Sequence, residues 1–154
     1  MKFEETLSEG FIIAGISVRT HNADNKAAED LGKLFSSFFS EQIMTQIPDK
    51  AADEVYCLYT DYESDFTGEY TAILGCKVSS VRNLPEGIVY KEIPAGKYHR
   101  YQSQGEVHQA VGRTWNHIWN SPDIPRAYLA DFDVYGREAQ DPANAKVFTF
   151  LSVI

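Results

Sequence analysis

The chain repeats itself, and the repeat constrains its fold more than any single motif does. Ala14-Gly15 corresponds to Ala95-Gly96, and Gly32 with Phe35 and Phe39 corresponds to Gly112 with Trp115 and Trp119. Tyr59 and Val78 stand as far apart as Tyr135 and Ile154. Correspondences in one order indicate a tandem duplication, and self-similarity has to be settled before elements are assigned. Each copy reads strand–helix–strand–strand, the first over about 10–81 and the second over about 88–154.

In the first copy, Phe11 to Thr20 alternates around Ile12, Ile16 and Val18 and predicts a strand. Asp24 and Asn25 are N-cap candidates for a helix from Ala27 to about Met44, where Leu31, Leu34, Phe35, Phe38 and Phe39 recur at helical spacing. Pro48 closes that region. Glu54 to Thr60 and Tyr70 to Val81 predict two strands around an acidic turn at 61–69. In the second copy, Ile88 to Tyr101 is strand material interrupted by Pro94-Ala95-Gly96. Gly105 to Trp119 is helical, and Pro122 and Pro125 end it. Tyr128 to Tyr135 and Lys146 to Ile154 are the closing strands. The fold class expected is α+β: antiparallel sheets, one helix per half, and a cleft between the halves, all in one domain over 1–154.

Strand Tyr128–Tyr135 carries the most distinctive chemistry. Tyr128, Ala130, Phe132 and Val134 point one way, and Asp131, Asp133 and Tyr135 the other. A carboxylate among apolar neighbours is costly when ionised unless cations or hydrogen-bond donors meet it. Aromatic rings nearby offer flat surfaces and attract cations. The alternative is a pair of solvated acids on an exposed strand face. In the repeat register Cys57 is the counterpart of Asp133, so the acid exists in one half only. Phe35, Phe39, Trp115 and Trp119 occupy equivalent helix positions and would flank a groove at the junction of the halves, although aromatics at this spacing also serve as core.

Fourteen basic against 22 acidic residues give a net charge of -8. Such a surface repels nucleic acid and anionic membrane, so direct nucleic-acid binding and membrane association are not expected. Met1-Lys-Phe-Glu-Glu5 lacks the basic start and apolar centre of a secretory signal, which predicts a cytoplasmic protein with Cys57 and Cys76 as free thiols. His21, His99, His108 and His117 have no metal-ligand spacing, and no metal or cofactor is expected.

Ile93-Pro-Ala-Gly-Lys-Tyr98, Trp115-x-x-x-Trp119 and Asp131-Phe-Asp-Val-Tyr135 together resemble the GyrI-like effector-binding domains. These also form the ligand-sensing half of AraC-type and related multidrug-responsive transcription regulators. Asp53-Glu-Val-Tyr56, the run Asp61 to Tyr70, and Ile73-Leu-Gly-Cys76 resemble the stand-alone, integron-cassette branch of that family. The resemblance runs from about Gly10 to Ile154. It implies a duplicated fold with a hydrophobic cleft that binds bulky, often cationic aromatic compounds by ring stacking and a buried glutamate. Where that family has Phe-Glu-x-Tyr, this chain has Phe132-Asp133-Val134-Tyr135. The shorter aspartate implies a tighter cleft or a deeper cation; Glu63 and Glu69 are the other acids that would serve as anchor. The expected ligand-binding set is Asp133, Trp115, Trp119, Tyr98, Phe35, Phe39, Tyr59 and Tyr135.

Three functions are therefore in play. The first is a small-molecule binder for a lipophilic cation, as drug buffer or as sensor working through a partner regulator. The second is a hydrolase of electrophilic compounds, with Asp133 and Tyr98 or Tyr59 activating water. The third is an inhibitor whose acidic run Asp61, Glu63, Asp65 and Glu69 meets a basic protein. Such a run in a hairpin turn is more often a solvated tip.

Overall fold

At the centre of the computed structural model, which describes residues 1–154, two equivalent strands of the repeat pair with each other. They are β3 (Val55–Thr60) and β7 (Ala130–Tyr135), antiparallel, with Cys57 directly opposite Asp133. Because those residues are also repeat counterparts, the approximate two-fold axis relating the halves passes between them. Around this pair lie β1 (Glu4–Ser8), β2 (Phe11–Thr20), β4 (Tyr70–Val78), β5 (Val89–Ile93), β6 (Gly96–Gly105) and β8 (Ala145–Val153). The helices are α1 (Lys26–Ser40), the single turn α2 (Ile43–Gln46) and α3 (Val107–Trp119). The strands of both halves join in one eight-stranded antiparallel sheet, ordered β1-β6-β8-β7-β3-β4-β2-β5.

Strand β1 lies outside the predicted elements, and the interruption at Pro94-Ala95 divides Ile88–Tyr101 between two strands, β5 and β6. These strands are exchanged between halves: β1 pairs with β6, and β5 pairs with β2. Only Glu9-Gly10 joins β1 to β2, and only Pro94-Ala95 joins β5 to β6. A flat sheet would hold β1 and β2 roughly 29 Å apart at about 4.8 Å per strand. A two-residue link spans at most about 11 Å. The sheet therefore curls until its ends meet. Inside the curl, Ile13, Tyr56, Leu58, Ile93, Tyr98 and Phe132 form one buried cluster drawn from both ends of the sheet.

The helices cover the outer face. Helix α1 packs Leu34 and Phe38 against Ala14, Val55, Cys57 and Leu74. It is shorter than its apolar period suggests, because Gln42 adopts φ 52°, a left-handed conformation that breaks the helix before α2. Asn25 is its N-cap residue but makes no side-chain cap bond. Helix α3 is capped by Glu106, whose carboxylate accepts from the Gln109 amide at 2.8 Å, and it buries Trp115 and Ile118 against Tyr101 and Leu151. No helix is long and apolar enough to cross a membrane.

Gly15 and Gly75 face each other across the β2–β4 pair. A Cβ on either would overlap backbone of the other strand, at Leu74 and Ala14 respectively. The two backbones approach more closely here than any side chain permits. Gly75→Ala is expected to lower unfolding free energy by more than about 2 kcal/mol, read as an earlier urea midpoint at unchanged slope.

Candidate functional site

Helical periodicity decides which aromatics the sheet does not use. Helix α1 turns Leu34 and Phe38 into the core, leaving Leu31, Phe35 and Phe39 on the adjoining stripe; α3 buries Ala110, Thr114 and Ile118 and leaves Val111 and Trp119 beside Trp115. These stripes line a cleft of about 1450 Å³ on the outer face of the sheet. Gly32 and Gly112, counterparts in the repeat, both line it, and nothing lies within 4 Å of where a Cβ would stand on either. The two walls are thus widened at equivalent points. Tyr59 and Tyr135, another counterpart pair, contribute from β3 and β7.

Of the expected residues, Phe35, Phe39, Tyr59, Trp115, Trp119 and Tyr135 line this cleft. Their rings pack edge to face or tilted: Phe35 to Tyr135 at 5.7 Å, Tyr59 to Trp115 at 5.2 Å, Trp115 to Trp119 at 6.3 Å between centroids. Phe39 stands at the rim, 62% exposed.

Asp133 is placed differently from the expectation. It is fully buried beneath the cleft and not in its wall. Tyr59 Oη donates to its Oδ2 at 2.7 Å, Thr149 Oγ1 to Oδ1 at 2.5 Å, and Trp115 Nε1 reaches both oxygens at 3.2 Å. Burial pushes its pKa up to about 6, against the pull of those three donors, which favour the ionised form. The carboxylate is therefore mostly ionised at neutral pH. Its charge acts on the cleft through a tyrosine and a tryptophan that form the wall.

Tyr98 does not belong to the cleft. Alternation along β6 turns His99, Tyr101 and Ser103 toward α3 and sends Tyr98 into the interior of the curl. There it packs on Phe132 at 5.4 Å and Phe150 at 6.3 Å. A Tyr98–Asp133 pair for activating water is not formed, because the two side chains lie on opposite faces of the sheet. Glu63 and Glu69 are not among the lining residues either, and Glu69 faces Arg19 at 3.8 Å on the surface.

The acidic turn is more than a solvated tip. Tyr62 donates to buried Asp131 at 2.5 Å, and Phe66 lies parallel to Trp119 at 6.4 Å between centroids. Asn22 Nδ2 holds the Phe66 carbonyl at 2.9 Å, so the turn closes one end of the cleft. The signal was two aromatics among the acids of 61–69. Asp131 also accepts from the Ser152 amide at 2.7 Å and from Arg126 Nη2 at 2.8 Å. Arg126 sits in a loop with no periodicity, and no sequence pattern marked it. Cys57 and Cys76 are free and buried; burial pushes the Cys57 thiol far up, and it does not line the cleft.

The sign of the Asp133 effect on stability follows from its raised pKa. The folded chain holds this proton more tightly than an unfolded aspartate of pKa about 3.9 does. Its contribution is favourable below that value and is lost as pH rises through about 6. Relative to Asp133→Asn, native stability is expected to fall by about 2–3 kcal/mol between pH 4 and 7, measured by denaturant unfolding at both pH values. Parallel pH profiles for the two proteins would contradict the assignment.

Comparison with known proteins agrees with this geometry. The model of integron-associated effector binding proteins, Cass2, matches residues 6–150. YobU of Bacillus subtilis (strain 168), named as a transcriptional regulator, is 26% identical over 144 residues, spanning 91% of this chain and 90% of its own length. The crystal structure of an integron cassette protein from the mobile metagenome of Vibrio cholerae superposes with a TM-score of 0.76 at 32% identity, covering 99% of this chain and 95% of that one. SAV2435, solved bound to tetraphenylphosphonium, shares the fold with a TM-score of 0.83 at 13% identity over 100% of this chain and 94% of its own. A duplicated strand–helix–strand–strand sheet with an aromatic cleft, matched over nearly its whole length, leaves one conclusion: the chain belongs to the Cass2 family of integron-associated effector binding proteins.

Proposed function

We propose that the cleft binds bulky aromatic compounds bearing one delocalised positive charge, and that the chain acts as a drug sensor or buffer. The observation that carries this reading is the buried carboxylate of Asp133 directly beneath two aromatic wall residues that donate hydrogen bonds to it. Hydrogen bonding to Asp133 makes the Tyr59 and Trp115 rings more electron-rich, which strengthens their attraction for a cation. A charge about 6 Å from the carboxylate gains on the order of 2–3 kcal/mol at an effective dielectric of about 20. Stacking on Trp119, Phe35 and Tyr135 adds the apolar part. The tetraphenylphosphonium complex of SAV2435 supports the same ligand class in a protein of this fold. The transcriptional-regulator name of YobU supports the sensor role, which in this chain would work through a partner protein. With three donors already on Asp133, the carboxylate is better suited to polarising rings than to activating water.

Titration of 10-methylacridinium and neutral acridine at pH 7.5, followed by quenching of Trp115 and Trp119, tests this directly. The cation is expected to bind more tightly than acridine, and Asp133→Asn to weaken the cation by about tenfold or more while leaving acridine little changed. Cation affinity should also fall as pH drops below about 6, where Asp133 takes up its proton. An unaffected variant would move the anchor elsewhere; absence of cation binding by folded native protein would sink the reading.

Gly112→Leu supplies an independent check on location. The added side chain enters open cleft space and replaces a poor helix former, so the fold is expected to be retained or stabilised by up to about 1 kcal/mol. Both acridines should lose affinity. Undiminished binding would place the ligand outside this cleft.

A further inference from the structure

Two carboxylates lie beneath the cleft along one strand face, and they are not equivalent. Asp131 and Asp133 are two residues apart on β7, about 7 Å, and both are fully buried. Asp133 is met only by uncharged donors. Asp131 is met by Arg126, whose side chain is 6% exposed and lines the cleft.

The surroundings of Arg126 are those of a bound cation. Its guanidinium carbon lies 4.2 Å from the Tyr128 ring centroid and 5.9 Å from those of both Tyr62 and Trp115. Of its three nitrogens only Nη2 is hydrogen-bonded, to Asp131 at 2.8 Å; Nε and Nη1 have no partner. Buried arginines are ordinarily fixed by several hydrogen bonds from their five N–H groups. This one is held by three aromatic faces and one carboxylate, the same interactions an aromatic cage offers a delocalised organic cation. The other charged residues of the cleft, Asp53, Glu54 and Arg137, lie by the Tyr135 end of β7, about a strand length away.

We propose that Arg126 is an internal cation occupying the Asp131 cage, and that it restricts the deep part of the cleft to ligands with a single positive charge. The inference rests on the cationic-ligand reading above and narrows its ligand class. A second positive group placed near Asp131 meets a site already neutralised and filled. Removing the guanidinium would expose an aromatic cage with an unpaired carboxylate one strand repeat from Asp133, a spacing suited to a dication with a short linker.

Ethidium and propidium test this, since they share the phenanthridinium ring system and propidium adds a quaternary ammonium on a propyl arm. Both would be titrated into native protein, Arg126→Gln and Arg126→Lys by dye fluorescence. Arg126→Gln is expected to shift the affinity ratio at least tenfold toward propidium, while Arg126→Lys keeps the native ratio. Arg126→Gln combined with Asp131→Asn removes the unpaired carboxylate and should return the ratio to within about threefold of native. Asp131→Asn alone leaves the Arg126 charge unbalanced and should weaken propidium more than ethidium, which keeps a measurable outcome if Arg126→Gln does not fold. Ethidium binding with an unchanged dye ratio in Arg126→Gln, or equal losses of both dyes in Asp131→Asn, overturns the internal-cation assignment and leaves the ligand-class reading intact. No ethidium binding by folded native protein overturns both.

Discussion

The buried carboxylate of Asp133 is the interaction on which the rest of the site depends. It gathers a tyrosine from β3, a tryptophan from α3 and a threonine from β8, so one group ties the second helix to strands of both halves. A buried charge persists only when donors meet it, and here two of those donors, Tyr59 and Trp115, are also cleft walls. The orientation of Trp115 and Tyr59 in the cleft is thereby tied to a carboxylate that lies outside the cleft wall. Packing, electrostatics and recognition share the same few atoms.

Duplication accounts for the shape of the cleft and divergence for its chemistry. Gly32 and Gly112 open the two helix walls at matching points, and Tyr59 and Tyr135 match across the axis between Cys57 and Asp133. The charged groups do not match. In the repeat register Asp133 corresponds to Cys57 and Asp131 to Val55, so both buried acids belong to the second half. The heavier aromatics, Trp115 and Trp119, are on that side too, opposite Phe35 and Phe39. A two-fold cleft has thus become a polarised one, with a phenylalanine-bearing helix facing an indole-bearing one and two buried carboxylates beneath the second half.

The exchanged strands β1 and β5 close the architecture. By crossing to the opposite half through two-residue links, they curl the sheet and bury its inner face around Phe132 and Tyr98. Strand β7 is consequently covered on both sides, by Phe132 and Val134 on the inner side and by Asp131 and Asp133 beneath the helices. This double burial removes water from two carboxylates that a one-layer sheet would leave solvated. The raised pKa of Asp133 follows from this burial, against the pull of its hydrogen-bond donors.

Periodicity and self-similarity marked the duplication and every element except β1 and the short turns, put Phe35 and Phe39 at helix positions equivalent to Trp115 and Trp119, and set Asp131, Asp133 and Tyr135 on the opposite side of β7 from Phe132. Those features depend on local spacing, which a sequence states directly. Tyr98 illustrates the limit: its residue type suited a cleft, yet alternation along β6 sent it to the far face, where it packs on Phe132. Strand β1 was silent because a short edge strand at Glu4–Ser8 has little apolar pattern, and its partner β6 is some ninety residues away. Arg126 was silent for a similar reason, since a loop residue acquires meaning only when long-range packing brings Asp131, Tyr62 and Trp115 around it. Tertiary structure alone decided that Asp133 lies beneath the cleft and Arg126 within it, because burial and charge pairing arise from contacts between distant segments and not from the order of residues along one.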